Sequence, residues 1–565
     1  MREREALLLS DYGGVNILIS PDNLRWSQSP ERRLDKRAID LSAPNRRSNM
    51  KTRFISLLST SFIIAGASAQ VAPVIGWQRS FGGSAADFGG RMCVTSEGRY
   101  LLVGGTLSTD GDVTDLSGVI DGWVLHVNTD GELMWEQTLG GTDLEEGGNI
   151  HTTSDNGSIA AFATYSNDGD VTDNHGGNDI WAVRLNHSGE LMWQHALGGS
   201  GSDWCGPIEQ TTDGGFILVG STMSADGDVS NPLGDADIWV VRLDSAGNIQ
   251  WQRTLGGSGS DGGARIRATT DGGYVVLGNT TSNDGDVSGN HGSHDGWVAK
   301  LNSSGGVDWQ RALGGTDFDF LYDVRQTADG GYILVGDAYS FDGDVTGNHG
   351  FGDIWVVKLD LSGGLDWQRC LGGSDPEVAD FIAPGPDGGY LVAGGTLSSD
   401  GDVTSNYGDW DAWVLSLDQA GAIVWQRTMG GSGYDMAYSI YPTNDDGYIV
   451  SAQNTGQDGD IIGNHGEEDI WLVKLVPGNV DVSGTPSPSL FTASPNPCQD
   501  LLRIKLDIDV KDASATFLDA TGREVLRVGL SGLETTLPVA QLGPGAYSLI
   551  VHSGQAHYQR TLIIE

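Results

Sequence analysis

A tryptophan returns every 58 residues without slippage, at Trp77, Trp135, Trp193, Trp251, Trp309, Trp367 and Trp425, each opening a segment like WQRTLGG. A second series keeps the same period inside segments like DIWVVKLD, at Trp123, Trp181, Trp239, Trp297, Trp355, Trp413 and Trp471. The chain is therefore read as seven copies of one unit. A period of this length built from strands and turns predicts a propeller or solenoid, in which no single unit can bury its own apolar face.

Within each unit four short strand-like stretches alternate with turn residues. The fourth unit reads GARIRATT, GYVVLGNTT, DGWVAKLN and GVDWQRALG, joined through Asp271-Gly272-Gly273 and Ser303-Ser304-Gly305-Gly306. Those joints supply the positive φ that tight hairpins require. Glycine, 85 residues of 565, is abundant enough to serve so many turns. The expected fold is all-β, a seven-bladed β-propeller over 70–476, because radial repetition leaves only short sheet edges exposed. The seventh unit lacks the WQR strand that ends every other unit, whereas VIGWQR, Val74 to Arg79, stands alone before the first. The N-terminal strand is expected to complete the last blade.

Residues 1–49 share nothing with the repeats and read as an early start. Residues 50–69 have the form of a secretory signal: Lys51 and Arg53, an apolar core from Phe54 to Ala65, and Ala67-Ser68-Ala69 before the expected cut between Ala69 and Gln70. The apolar run is too short to span a bilayer, so no transmembrane anchor is expected. Removal of residues 1–69 leaves 21 Lys/Arg against 68 Asp/Glu, a net charge of −47. Such a field repels phosphate backbones and anionic lipid, which excludes nucleic acid as a partner, and it attracts cations. Cys93, Cys205, Cys370 and Cys498 fall at unrelated phases of the repeat and suggest no disulfide framework.

The most chemically loaded segment joins the second and third strands of each unit. In the fifth it is DGDVTGNHGFGD, 342–353, with oxygen-bearing side chains at loop positions 1, 3, 5 and 12 and glycine at 6. This spacing resembles the EF-hand loop that wraps calcium. Aspartate recurs at positions 1, 3 and 12 in every unit: Asp110, Asp112, Asp121; Asp168, Asp170, Asp179; Asp226, Asp228, Asp237; Asp284, Asp286, Asp295; Asp342, Asp344, Asp353; Asp400, Asp402, Asp411; and Asp458, Asp460, Asp469. Calcium held within single loops is one expectation. The other is pure turn structure, since Asp-Gly-Asp bonds its own backbone well and strands replace the helices of an EF-hand. A second acidic phase, Asp87, Glu145, Asp203, Asp261, Asp319, Glu377 and Asp435, lies in the loops leading into the units. Both phases are expected on one face, ringing it with carboxylates.

The repeated tryptophans are read as packing between blades rather than a ligand platform, leaving Trp204 and Trp410, off the period, as candidates for contact. The loop histidines His175, His291, His349 and His465 sit on separate units, cannot converge on one metal, and are expected to be solvated. No constellation for nucleophilic, zinc or phosphate chemistry breaks the periodicity, so no catalytic residue is assigned.

From Pro477 a Gly/Ser/Pro-rich linker runs to 490, and residues 491–565 carry strand patterns unrelated to the repeat. SPNP (Ser494 to Pro497), FLDATGREV (Phe517 to Val525), LGPGAYSLIV (Leu542 to Val551) and the terminal RTLIIE resemble the type A C-terminal sorting domain of the type IX secretion system. Glu565 departs from the basic residue with which such domains commonly end. The resemblance implies an Ig-like β-sandwich, interaction with the type IX secretion machinery, and delivery to the exterior or outer surface of a Gram-negative bacterium. The repeats are similar to arrays found ahead of such domains. The leading expectation is a secreted or surface-displayed propeller that binds glycan or another surface protein and is not an enzyme. The alternatives are a polysaccharide-acting enzyme with its site at the axis, where Asp323 and Asp380 are the carboxylates to inspect, and a structural surface-layer component.

Overall fold

A computed structural model describes residues 72–478 without a break and, beyond them, 491–494, 501–506, 514–518, 524–530, 534–539, 542, 545–553 and 556–564. The early start, the signal with its Ala69–Gln70 cut, most of the 477–490 linker, Cys498 and Glu565 lie outside the described residues. The chain divides into two compact units, 1–477 and 478–565.

Residues 72–478 form seven four-stranded antiparallel sheets. Sheet one is Asp87–Val94, Tyr100–Thr106, Asp121–Val127 and Leu133–Leu139 in sequence order, and sheets two to six repeat that order. In sheet five the strands are Asp319–Gln326, Tyr332–Ala338, Asp353–Leu359 and Leu365–Leu371. Sheet seven takes Met436–Pro442, Tyr448–Thr455 and Glu468–Val476 from one end of the chain and Val74–Phe81 from the other. Trp77 pairs with Lys474 and Phe81 with Ile470, so the expected closing strand is in place.

Burial explains the sequence pattern. Third strands such as DIWVVRL are buried at every position because a neighbouring sheet covers each face, whereas fourth strands such as IQWQRTL are half-exposed edges. The hydrophobic clusters are shared between consecutive sheets; Leu102 and Trp123 of sheet one join Ile449, Ile470 and Leu472 of sheet seven. The array therefore closes on itself, with first strands touching first strands all the way round.

The two tryptophan series do different work. The DIWVVKLD tryptophans are fully buried, each worth roughly 5 kcal/mol of area removed from water. Apart from Trp425, which is buried, the WQR tryptophans lie half-buried over a turn of the following sheet, where a Cβ on Gly131 would stand 2.6 Å from the ring of Trp77 and one on Gly305 3.0 Å from that of Trp251. Bulky ring and bare glycine are one fitted pair, which is why both keep the 58-residue period.

The C-terminal unit holds a three-stranded sheet (Phe491–Ser494, Leu501–Leu506, Glu534–Pro538) and a four-stranded one (Glu524–Gly529, Ser514–Leu518, Gly545–Ser553, Ala556–Ile564). Leu502, Ile504 and Leu537 from the first share a single core with Phe517, Leu549, Val551 and Leu562 from the second.

Candidate functional site

The loops between second and third strands and the loops leading into first strands are stitched together. In all seven units the position-one aspartate accepts an N–H from the residue after the glycine pair, from Ser84 to Asp110 at 2.7 Å through Ser432 to Asp458 at 2.8 Å. Those hydrogen bonds hold the exposed carboxyls of Asp226, Asp284 and Asp458 below the usual range. The middle glycine of Asp-Gly-Asp has φ between 62° and 70° in every copy. A Cβ there would also run into the main chain of the preceding glycine pair, so only glycine serves.

The other acids are corrected by the structure. Position-twelve aspartates are at most 1% exposed and accept main-chain N–H groups of their own loop, as from Leu233 to Asp237 at 2.7 Å. Asp87, Glu145, Asp203, Asp261, Asp319, Glu377 and Asp435 are likewise buried, holding the turn before them: Asp87 takes Gly83 N–H at 2.7 Å, Ser108 Oγ at 2.8 Å and Thr106 Oγ1. Of the expected ring of carboxylates only the first and third loop positions lie on the surface. Burial pushes the inner acids up, Asp411 to about 7 and Asp435 to about 6. The three aspartates of one loop thus serve three separate partners, and the EF-hand spacing does not gather them. Among the described residues, no group of three or more His, Cys, Asp or Glu is placed to hold a metal ion.

The loop histidines are not free in solvent as expected. His175, His291, His349 and His465 each place Nδ1 2.6–2.8 Å from Oδ2 of the position-twelve aspartate, with roughly two fifths of the side chain exposed. Histidine four residues ahead of a buried carboxyl is a loop clasp.

At the centre of the array the first strands fill the space with side chains. Asp323 is fully buried within 3.0 Å of Arg265 Nε, 3.4 Å of Arg267 Nη2 and 3.3 Å of Arg325 Nη2, and it accepts N–H groups of Val324 and Ile382. A carboxylate held this way is a charge anchor. Asp380, 6% exposed, approaches Arg91 at 3.9 Å. Among the described residues, Cys93, Cys205 and Cys370 form no disulfide.

One sheet breaks the repeat on its loops. Phe318, Phe341 and Phe351 of sheet five are 40%, 69% and 70% exposed. At the position of Phe341 the other units carry Thr109, Asn167, Ala225, Asn283, Ser399 and Gln457. Tyr339 N–H donates to the carbonyl of Phe318 at 3.0 Å, and Asp317 N–H to Ser340 Oγ at 2.9 Å, which ties the two phenylalanine-bearing loops together. Inward from Phe318 runs a ladder of near-parallel rings: Phe318 to Phe320 at 6.3 Å and Phe320 to Tyr322 at 6.2 Å, with His294 stacked on Phe318 at 5.3 Å. Trp204 and Trp410, the tryptophans off the period, are only partly exposed. The signal for this patch was present in the sequence as three phenylalanines at phases where no other unit has one.

Residues 493–565 match the family described as secretion system C-terminal sorting domain. No curated protein matches the chain. Solved structures similar to it include PorZ, a surface component of the type-IX secretion system of Porphyromonas gingivalis, with 12% identity, 84% of this chain and 59% of that one covered and a TM-score of 0.35. A puromycin hydrolase has 12% identity, 84% and 63% coverage and a TM-score of 0.40. The α-L-arabinofuranosidase Arb93A from Fusarium graminearum has 11% identity, 58% and 92% coverage and a TM-score of 0.36. The chain spans about three fifths of the length of the first two.

Proposed function

Because the C-terminal module belongs to the secretion system sorting domains, we propose that the chain is a seven-bladed β-propeller with a C-terminal β-sandwich, carried across the outer membrane of a Gram-negative bacterium by the type IX machinery. Outside the cell it binds a glycan or a surface protein through its loop face. The observation that carries the reading is the exposed phenylalanine cluster of sheet five. Phe341 and Phe351 are 69% and 70% exposed on a loop whose counterparts are mostly small or polar, and exposed aromatic anchors are what binding surfaces use. The fold by itself says nothing about activity.

The test compares wild-type protein with Phe341→Ser/Phe351→Ser in binding to intact cells and to a glycan array. Binding that falls at least tenfold, with an unchanged melting temperature, supports the reading. Equal binding by both proteins, or none by either, removes it.

A further inference from the structure

The turns between first and second strands, at the end of the sheets opposite the Asp-Gly-Asp loops, carry a repeated ion pair. In sheets two, three, four, five and seven a buried third-strand cation reaches the turn aspartate: Arg184 to Asp155 and Arg242 to Asp213 at 2.7 Å, Lys300 to Asp271 at 2.9 Å, Lys358 to Asp329 at 3.0 Å and Lys474 to Asp445 at 2.6 Å. Each cation also donates to the main-chain carbonyl of the leucine after it, and each aspartate accepts the hydroxyl of a threonine two residues earlier. In sheet one His126 takes the cation's position, its ring 5.2 Å from that of Trp135.

Sheet six keeps the aspartate and replaces both of its partners. Ser416 stands at the cation's position and Gly385 at the threonine's, while the acid remains as Asp387. A Cβ on Gly331 would lie 2.6 Å from Lys358 Nζ and one on Gly447 2.4 Å from Lys474 Nζ; on Gly389, the same position in sheet six, its nearest neighbours are main-chain atoms of Leu417 and Asp418. Where the long side chain runs in the other sheets, sheet six has a cavity of about 360 Å³ lined by Asp387, Gly389, Ser416, Leu417 and Asp418. That size falls within the range of small-ligand sites, about 300–1,000 Å³. The turn is also wound differently: Asp387 sits at φ 57°, in the left-handed region, and Gln419 Nε2 donates to its carbonyl at 3.3 Å. Among the described residues, no Lys, Arg or His pairs with Asp387 or Asp418.

We propose that this cavity binds an alkylammonium group from outside the chain, the head of a partner's lysine side chain or of a free amine, in the place that Lys300, Lys358 and Lys474 fill in their own sheets. An ammonium carries three donors, and the cavity presents the Leu417 carbonyl, the Ser416 hydroxyl and the Asp387 carboxylate to receive them, with Asp418 adding negative charge beside it. The chain's net charge of −43 draws such a cation in. The site lies at the opposite end of the strands from Phe341 and Phe351, so it stands or falls independently of the binding face proposed above.

The experiment titrates the full chain with pentylammonium chloride and, separately, with a pentalysine peptide, at fixed ionic strength and neutral pH, and reads binding by calorimetry. The expected result is saturable binding that weakens by at least about tenfold in Ser416→Lys, whose own side chain fills the cavity. Ser416→Lys should melt no lower than the parent; if it does melt lower, Asp387→Asn decides instead, with binding weakened about fivefold by loss of the counterion. Binding of both probes assigns the site to free amines as well as side chains, and binding of the peptide alone assigns it to a polypeptide partner. Saturable binding of neither probe, or affinities unchanged in the deciding variant, would overturn the proposal.

Discussion

The indole N–H of Trp471 donates to Oε1 of Gln78 at 2.9 Å, across 393 residues of chain. Elsewhere the same bond is local, as from Trp239 to Gln252 at 2.8 Å, thirteen residues apart. The glutamine of WQR is the acceptor for a fully buried tryptophan, and in sheet seven that glutamine comes from the other end of the molecule. Gln78 also donates to the carbonyl of Asp460 and accepts from Ile462 N–H. Gln78→Ala should cost about 1–3 kcal/mol, because it strands a buried indole N–H. Chemical denaturation measures it, and a cost below 0.5 kcal/mol would show that the closing strand does not depend on this bond.

Acid should stabilise the ring. Burial raises Asp411 to about 7 and Asp435 to about 6; Asp435 and Asp460 add to the first and Asp458 and Asp460 to the second, while the main-chain N–H groups of Tyr407, Gly431 and Thr455 oppose the effect. Raised folded values mean that the folded chain keeps protons that the unfolded chain releases above about pH 4, so this stability is full below that point and lost as pH rises through 6 and 7. The melting temperature should fall by a few degrees from about pH 5 to about pH 8. A temperature that climbs over that interval would contradict the burial of these acids.

Asp323→Ala removes the shared counterion of Arg265, Arg267 and Arg325, and an unpaired buried charge of this kind costs about 3–5 kcal/mol. Asp323→Asn should recover part of the loss through the N–H groups of Val324 and Ile382. Thermal melts of the two variants, compared at equal pH, are the measurement. Equal stability of alanine variant and parent would show that the arginines find other partners.

Deleting residues 491–565 should leave the repeats folded and retained inside the cell envelope, because 502–564 carry their own core. Cell fractionation with a protease-accessibility assay reads this directly. Appearance of the truncated chain in the medium would mean that export does not run through the sorting domain.

The architecture was legible because periodicity fixes it: the two tryptophan phases and the orphan VIGWQR strand name the sheets and their closure before any coordinates. The chemistry of the acids was less legible. Positions one, three and twelve are close in sequence, which invited grouping them within a loop. Spatial neighbours in this fold come from consecutive units, so Asp469 belongs with Asp87 rather than with Asp458. Burial was also hidden, since aspartate at a strand start reads as a solvated turn until Thr106 and Ser108 are seen closing over it. Phe341 and Phe351 were visible all along as departures from a repeat.

Ring closure has a consequence for how the molecule comes into being. Val74–Phe81 is synthesised before the other described strands, yet its sheet partner among the described residues, Glu468–Val476, follows almost 400 residues later. Until then it is an open edge with unpaired main-chain groups, the kind of surface that recruits other chains. Closing so long a span adds little to the equilibrium cost, which grows only with the logarithm of length, but it places the last step of assembly at the end of a slow search. The nascent protein therefore waits with its first strand unpaired, and whatever shields that strand in the interval governs how much of the product is recovered folded.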